Sequence, residues 1–399
     1  MVISFEPTVM AEASPWVIVA GGFHQHGGMD RANAALASYL LGTGAPVHLV
    51  GHEIDPELAR HRMATAYGVP RPKGMPAIAE RLLARTGVRV ARSVVNQTPR
   101  ARVVVNGGNC PWPDINWVHA LHAAWPVLDG GAPWWSRHRN RRLKASAQLR
   151  ERKALRKAGM IIANSHATSR AIIEHIGIDP ARVRTVYLGS DPAWGAPTVD
   201  ERAAARAELG LRDGVPVVLF AGALGSDINK GFHLLWEAWQ QLTASSTWDA
   251  SLVVAGDGWR LRHWQAAAVR AGLTPSVRFL GWTTRMRAVL AAGDLLVSPV
   301  RYEAYGLNVH EALCRGLGVM VTRTAGVVER FDGVMSEAVL PERVTAAVLA
   351  DRLRLWRADV DGWRLRASST AACLRARSWT DMAAELVGVA EQTAERIPA

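Results

Sequence analysis

Short apolar runs recur along this chain. Each is released into a turn and then into a stretch with helical spacing. Trp16 to Ala20 (WVIVA), Pro46 to Val50 (PVHLV), Val103 to Val105, Met160 to Ser165 (MIIANS) and Val183 to Leu188 (VRTVYL) are the runs of the first half. Val217 to Ala221 (VVLFA), Leu252 to Ala255 (LVVA), Val277 to Leu280 (VRFL), Leu295 to Val300 (LLVSPV) and Val319 to Thr322 repeat the theme in the second. Apolar runs without polar alternation predict strands buried on both faces, as in a parallel sheet covered by helices. Helices are expected after Gly28, from Ala167, from Gly231 to Leu242, from Leu307 to about Arg315, and in the tail from Ser378. Between the two series lies GSDPAWGAP, whose glycines and prolines predict a linker. A chain of 399 residues exceeds one ordinary core, so two α/β domains are expected, 1–190 and 191–375. In such sheets ligands sit at the carboxyl ends of the strands.

Charge sharpens the picture only locally. The net charge is +12, from 47 Lys and Arg against 35 Asp and Glu, which suits anionic partners: a nucleotide sugar, an acidic lipid surface or nucleic acid. The densest stretch is 137–157, with ten Arg and Lys against the single acid Glu151. Leu143, Ala147, Leu149, Ala154 and Leu155 give it a thin apolar side. A helix of this kind suits an anionic membrane face, nucleic acid or a solvated outer position. No apolar run reaches membrane-spanning length. The first residues show no basic region leading into an apolar core, and Cys110, Cys314 and Cys373 are sparse and unpaired in spacing. A cytoplasmic protein with reduced thiols is expected.

The candidate chemistry centres on Pro299 to Val328, where LLVSPV enters the loop RYEAYG and then the segment LNVHEALCRG. Glu303 lies in the loop, Glu311 in the early turns of the helix and Gly306 between them; Gly316 is the expected helix stop. A helix amino terminus suits a phosphate, whereas carboxylates beside it suit sugar hydroxyls. The stretch therefore reads as a site for a sugar joined to phosphate. Upstream, Gly27 and Gly28 would let backbone amides approach a ligand, or simply make a tight turn. His119 and His122, in NWVHALHAAW, read as core histidines; no third or fourth metal ligand has a fitting spacing.

Three motifs taken together resemble the retaining glycosyltransferases of family 4, enzymes of the two-Rossmann-domain GT-B type, and the likeness covers nearly the whole chain. They are EAYGLNVHE with Glu303 and Glu311, FAGALGSDINKGFHLLWEAW with Gly222, Lys230 and Gly231, and the succession LVVAGDG, VRFLGW, GDLLVSPVRYE. The resemblance implies a GT-B fold whose helix 376–399 returns to the N-terminal domain. It implies transfer of a hexose from a UDP- or GDP-linked donor to an acceptor hydroxyl, with retention and without a cofactor or metal. Glu311 would hold the donor ribose, Glu303 would position the transferred sugar and Lys230 would neutralise the diphosphate. Gly306 and Leu307 would offer amides, Gly27 and Gly28 would approach from the acceptor side, and His119 would lie near the sugar, with His122 as the alternative. An arginine is usual after the glycine matching Gly222, but Ala223 stands there, and Arg301 is the candidate replacement. The acceptor would be a carbohydrate, a lipid-linked sugar or a small molecule. The protein would act in the cytoplasm, at the inner membrane face if 137–157 docks there, and nucleic acid is not expected. The rivals are an epimerase or hydrolase of nucleotide sugars on the same fold, and a basic nucleic-acid-binding protein, which leaves the paired glutamates unexplained.

Overall fold

The computed structural model describes residues 13–126, 134–225 and 228–394. One sheet has seven strands: β1 (Trp16–Val19), β2 (Val47–Gly51), β3 (Ala64–Gly68), β4 (Arg102–Asn106), β5 (Ile115–Val118), β6 (Met160–Ala163) and β7 (Val183–Thr185), in the order β3-β2-β1-β4-β5-β6-β7. The other has six: β8 (Val217–Ala221), β9 (Ser251–Ala255), β10 (Val277–Gly281), β11 (Leu295–Ser298), β12 (Gly318–Thr322) and β13 (Val339–Leu340), in the order β10-β9-β8-β11-β12-β13. The registered pairs run parallel, for example Val17 opposite His48 and Leu219 opposite Val253. Both orders reverse beside the first strand of their series, the switch point at which such sheets open a crevice.

The continuous apolar runs explain this outcome. Val17, Ile18, Val19, Val103, Val104 and Val105 are fully buried, as are Leu252, Val253, Val254, Leu295, Leu296 and Val297. Helices cover them: α1 (Gly28–Gly42), α2 (Pro76–Gln97), α3 (Trp134–Lys157), α4 (His166–Ile176), α5 (Phe232–Thr243), α6 (Leu307–Cys314), α7 (Val360–Arg375) and α8 (Trp379–Ala394) are those used below. Gly316, with φ 78°, ends α6 as expected. The chain divides into two compact units, 1–117 with 150–161 and 390–399, and 118–149 with 162–389. Among the described residues no helix is long and apolar enough to cross a membrane.

The basic stretch is helical, but its apolar side is shorter than the spacing predicts. Ala154 and Leu155 are fully buried, while Leu149 is 70% exposed and Leu143 lies at the surface. The lone acid is the reverse of what a solvated helix needs: Glu151 is buried, in the turn that packs on Gly108.

Candidate functional site

In the second unit, strand β11 delivers the chain through Pro299 and Val300 into the 301–306 loop. Gly306 caps α6 at φ 101°, a conformation that disfavours a side chain. Asn308, in the first turn, donates to the Ala221 carbonyl at 3.0 Å and so fixes α6 to the end of β8. Glu303 pairs with Ala325 as an isolated parallel bridge, and its carbonyl accepts from Gly326 N–H at 3.2 Å.

The turn Ile228–Lys230 comes alongside through backbone contact. Asn229 is buried; its carbonyl accepts the Arg301 amide at 2.8 Å and its side-chain amide donates to the Tyr302 carbonyl at 2.9 Å. Gly231 makes the approach feasible. Its φ is 74°, and a Cβ there would lie 2.0 Å from the Pro299 carbonyl oxygen. The result is an ion pair, Lys230 Nζ to Glu303 Oε2 at 2.5 Å, with both side chains partly open to solvent. Glu311 sits in the second turn of α6, half-buried, with Leu307 at the helix start.

The carboxyl ends of β8, β9 and β10 are laced together beside this pair. Gly222 N–H donates to the Ala255 carbonyl at 3.0 Å, Leu224 N–H to Asp257 at 2.9 Å and Gly256 N–H to Gly281 at 2.8 Å. Trp259 and Trp282 emerge from these ends 61% and 66% exposed. His233, two residues after Gly231, has its imidazole pushed down to about 4, by burial first and then by the guanidiniums of Arg301 and Arg260. The Arg301 amide is bonded to Asn229, just before α5, and the Arg260 amide to the Leu224 carbonyl, just past the end of β8. The sequence reading missed Arg260, Asn229, Tyr302, Trp259 and Trp282. A tryptophan directly after a glycine at or just past a strand end, as in GDGW and LGW, is the signal that would have found two of them.

His119 follows β5, and its carbonyl accepts from the Asn164 amide at 3.2 Å. Burial pushes its imidazole down to about 3, so the ring is neutral at physiological pH. His122 is exposed.

Gly27 and Gly28 belong to the other unit and are described there alone. Gly27, at φ 87°, caps α1, whose first turn carries Asp30. Burial raises the Asp30 carboxyl above its usual range. His24 Nε2 lies 3.3 Å from Glu53 and 3.8 Å from Asp30. Asp359 and Asp361, spaced like a metal-binding pair, serve α7 locally: Asp359 caps Gly362 N–H at 3.1 Å, and Asp361, 96% exposed, pairs with Arg364.

Residues 26–194 match the family model described as Glycosyltransferase Family 4, and residues 215–357 match the model described as Glycosyl transferases group 1. A D-inositol 3-phosphate glycosyltransferase of Segniliparus rotundus is 29% identical over 199 residues, which are 47% of this chain and 43% of that protein. The chain spans about half the length of the curated relatives it matches. Among solved structures, WaaG, a glycosyltransferase involved in lipopolysaccharide biosynthesis, superposes with a TM-score of 0.73 at 19% identity, over 93% of this chain and 99% of that one. Anabaena HepE in complex with UDP and glucose gives 0.65 at 17% identity, over 95% and 100%. At these identities the likeness speaks to fold, which is GT-B with two Rossmann-like α/β domains. One model thus matches most of the first half of the chain and the other most of the second, so each half is similar to a part of the family 4, group 1 glycosyltransferases.

Proposed function

We propose that this protein transfers a hexose from a nucleoside-diphosphate sugar to an acceptor hydroxyl, with retention of anomeric configuration and without a metal ion. The observation that carries the reading is the Lys230–Glu303 pair held beside the amino end of α6. A cation and a carboxylate within one hydrogen bond suit the two halves of a sugar phosphate: Lys230 for the diphosphate, Glu303 for the sugar hydroxyls. Both are partly open to solvent, so a donor can separate them and take up each charge.

In this reading Glu311 accepts hydrogen bonds from the ribose hydroxyls. The amides of Gly306 and Leu307, with the positive end of α6, stabilise the diphosphate as its bond to the anomeric carbon breaks. Arg301 and Arg260 occupy the role left open by Ala223, which supplies no charge. Trp259 and Trp282 offer flat faces to the base. His119, neutral, donates to or accepts from a sugar hydroxyl. The 1–190 segment serves the acceptor, with Gly27 and Gly28 offering backbone amides within it, and 191–375 holds the donor. The acceptor is a carbohydrate, a lipid-linked sugar or a small molecule. The structure known with UDP and glucose belongs to HepE, a neighbour in fold, and it makes UDP-glucose the first donor to try, ahead of GDP-sugars. The basic face of α3 would place the protein peripherally on an anionic membrane surface at the cytoplasmic side.

Titration calorimetry with UDP- and GDP-sugars tests the donor assignment. Glu311→Ala should weaken the preferred donor about tenfold or more, as expected when a ribose loses a charge-assisted pair of hydrogen bonds. Unchanged affinity would refute the site. Turnover without an acceptor would favour the hydrolase or epimerase reading, and the proton coupling of the product's anomeric carbon decides retention.

A further inference from the structure

Neighbouring residues of the 301–306 loop reach different partners. Glu303 pairs with Lys230. Tyr302 instead meets the 118–126 segment, where its hydroxyl accepts the Leu121 amide at 2.8 Å. The Tyr302 ring lies 5.8 Å from the Trp125 ring at 41°, and His122 stacks on Trp125 at 6.5 Å and 18°.

The backbone beneath these rings is pinned. Leu121 is fully buried. From α3, Gln148 donates to the His122 carbonyl at 3.0 Å and Lys144 to the Trp125 carbonyl. Asn164 holds the His119 carbonyl, and Asn229 holds that of Tyr302. The rings themselves are not core: His122 is exposed and Trp125 and Tyr302 are half-buried, whereas Trp117 and Trp239 are fully enclosed. Two loops and a helix are thus organised to hold three aromatic faces at the surface, one residue from the carboxylate of the candidate site.

We propose that Tyr302, Trp125 and His122 form an acceptor subsite that takes the C–H face of a pyranose ring. This inference rests on the transferase reading above. A pyranose carries axial C–H groups on its faces and hydroxyls around its rim. Stacked on the shelf, it packs apolar hydrogens on π-surface and leaves rim hydroxyls free. The rim nearest Tyr302 then adjoins Glu303. In the transfer, a rim hydroxyl oxygen forms the bond to the anomeric carbon as the carbon–phosphate oxygen bond breaks. The electron pair of that bond leaves with the diphosphate, which also takes the hydroxyl proton. An acyclic polyol has the same hydroxyls but no ring face, and the shelf discriminates against it.

Saturation-transfer NMR with the methyl pyranosides of glucose, galactose and mannose, against glucitol as the acyclic control, tests the subsite directly. At least one pyranoside should receive saturation through its ring C–H protons, and glucitol should not. Trp125→Ala should weaken that pyranoside about five- to tenfold, the scale of one lost aromatic face, with Trp125→Phe restoring most of it. His122→Ala, at an exposed position, should show a smaller loss in the same direction. UDP-glucose calorimetry and the thermal midpoint report whether each variant is folded. Equal saturation of glucitol, no saturation of any pyranoside by the wild-type protein, or wild-type affinity in Trp125→Ala would each overturn the subsite. Donor binding with no pyranoside binding defeats the subsite alone. Pyranoside binding in a protein that binds no nucleotide sugar defeats the transferase reading and leaves the shelf standing.

Discussion

At the scale of single residues, His310 shows how closely the loop and α6 are specified. It is 1% exposed. The Ser190 hydroxyl donates to the Leu374 carbonyl at 2.7 Å, so it must accept from His310 Nε2 at 2.6 Å. That leaves Nδ1 as the acceptor for the Tyr305 hydroxyl at 2.7 Å. The tautomer is fixed by its neighbours, and a second proton would break the Tyr305 bond and bury a charge. Burial, with Arg330 adding to it, pushes the imidazole down to about 3 from 6.5. The sign follows: between these values the unfolded chain binds a proton that the folded chain refuses, so stability falls as pH falls from 6.5 towards 3. Each such histidine contributes a slope of about 1.4 kcal/mol per pH unit; His119 and His233 act in the same sense. Urea unfolding at pH 7, 6 and 5 should show this loss. His310→Asn should be less stable at pH 7, by about 1–3 kcal/mol for hydroxyls left unpaired, yet show a shallower pH slope. An unchanged slope would remove His310 as a source of the acid sensitivity.

At the scale of elements, the segment after α6 reaches back to α4. The Glu329 carboxylate accepts from the His166 amide at 2.8 Å and the Ala167 amide at 2.5 Å, capping a helix far from it in sequence, and the Tyr187 hydroxyl donates to it at 3.0 Å. Ser165 and Thr168 meanwhile donate to the Ala304 carbonyl at 2.7 and 3.0 Å, beside Glu303. Glu329→Ala should cost about 1–3 kcal/mol, from two uncapped amides and a stranded phenol, read as a lower urea midpoint with an unchanged denaturant slope. Gly231→Ala should be worse: its Cβ would overlap the Pro299 carbonyl at a left-handed backbone angle. It should lose several kcal/mol, with donor binding lost along with the Lys230 turn. The strands were legible because burial on both faces leaves unbroken apolar runs such as LVVA and LLVSPV. Strand β3 (ATAYG) had no such run; it is an edge strand with partly exposed positions. Glu303 and Glu311 were named from type and spacing and Lys230 from the resemblance, and the fold brings Lys230 against Glu303. Asn229, Tyr302, Arg260 and Glu329 were not, because their roles come from contacts spanning tens of residues, for which a local pattern carries no signal. The α3 apolar side misled because Leu149 keeps helical spacing yet faces solvent.

At the scale of the whole molecule, the excess charge of +12 is concentrated rather than spread, and α3 carries much of it. Its residues divide into two jobs. Lys144 and Gln148 hold the turn that bears His122 and Trp125, whereas Arg141 and Arg142 are exposed. A test of membrane docking must separate these jobs, since reversing Lys144 would disturb the aromatic shelf as well as the charge. Arg141→Glu with Arg142→Glu reverses two exposed charges and leaves Lys144 and Gln148 in place. Cations near an anionic bilayer contribute about 1 kcal/mol each, so losing both weakens association with phosphatidylserine-containing vesicles by at least about thirtyfold, and the two added carboxylates weaken it further. Wild-type association should also fall steeply as salt shortens the range of the surface potential. Sedimentation with neutral and anionic vesicles distinguishes the outcomes: binding to anionic vesicles alone, lost in the double variant and at high salt, places α3 on the bilayer. Equal sedimentation of the variant, or none by the wild-type protein, leaves the basic helix as a solvated scaffold for the turn it holds.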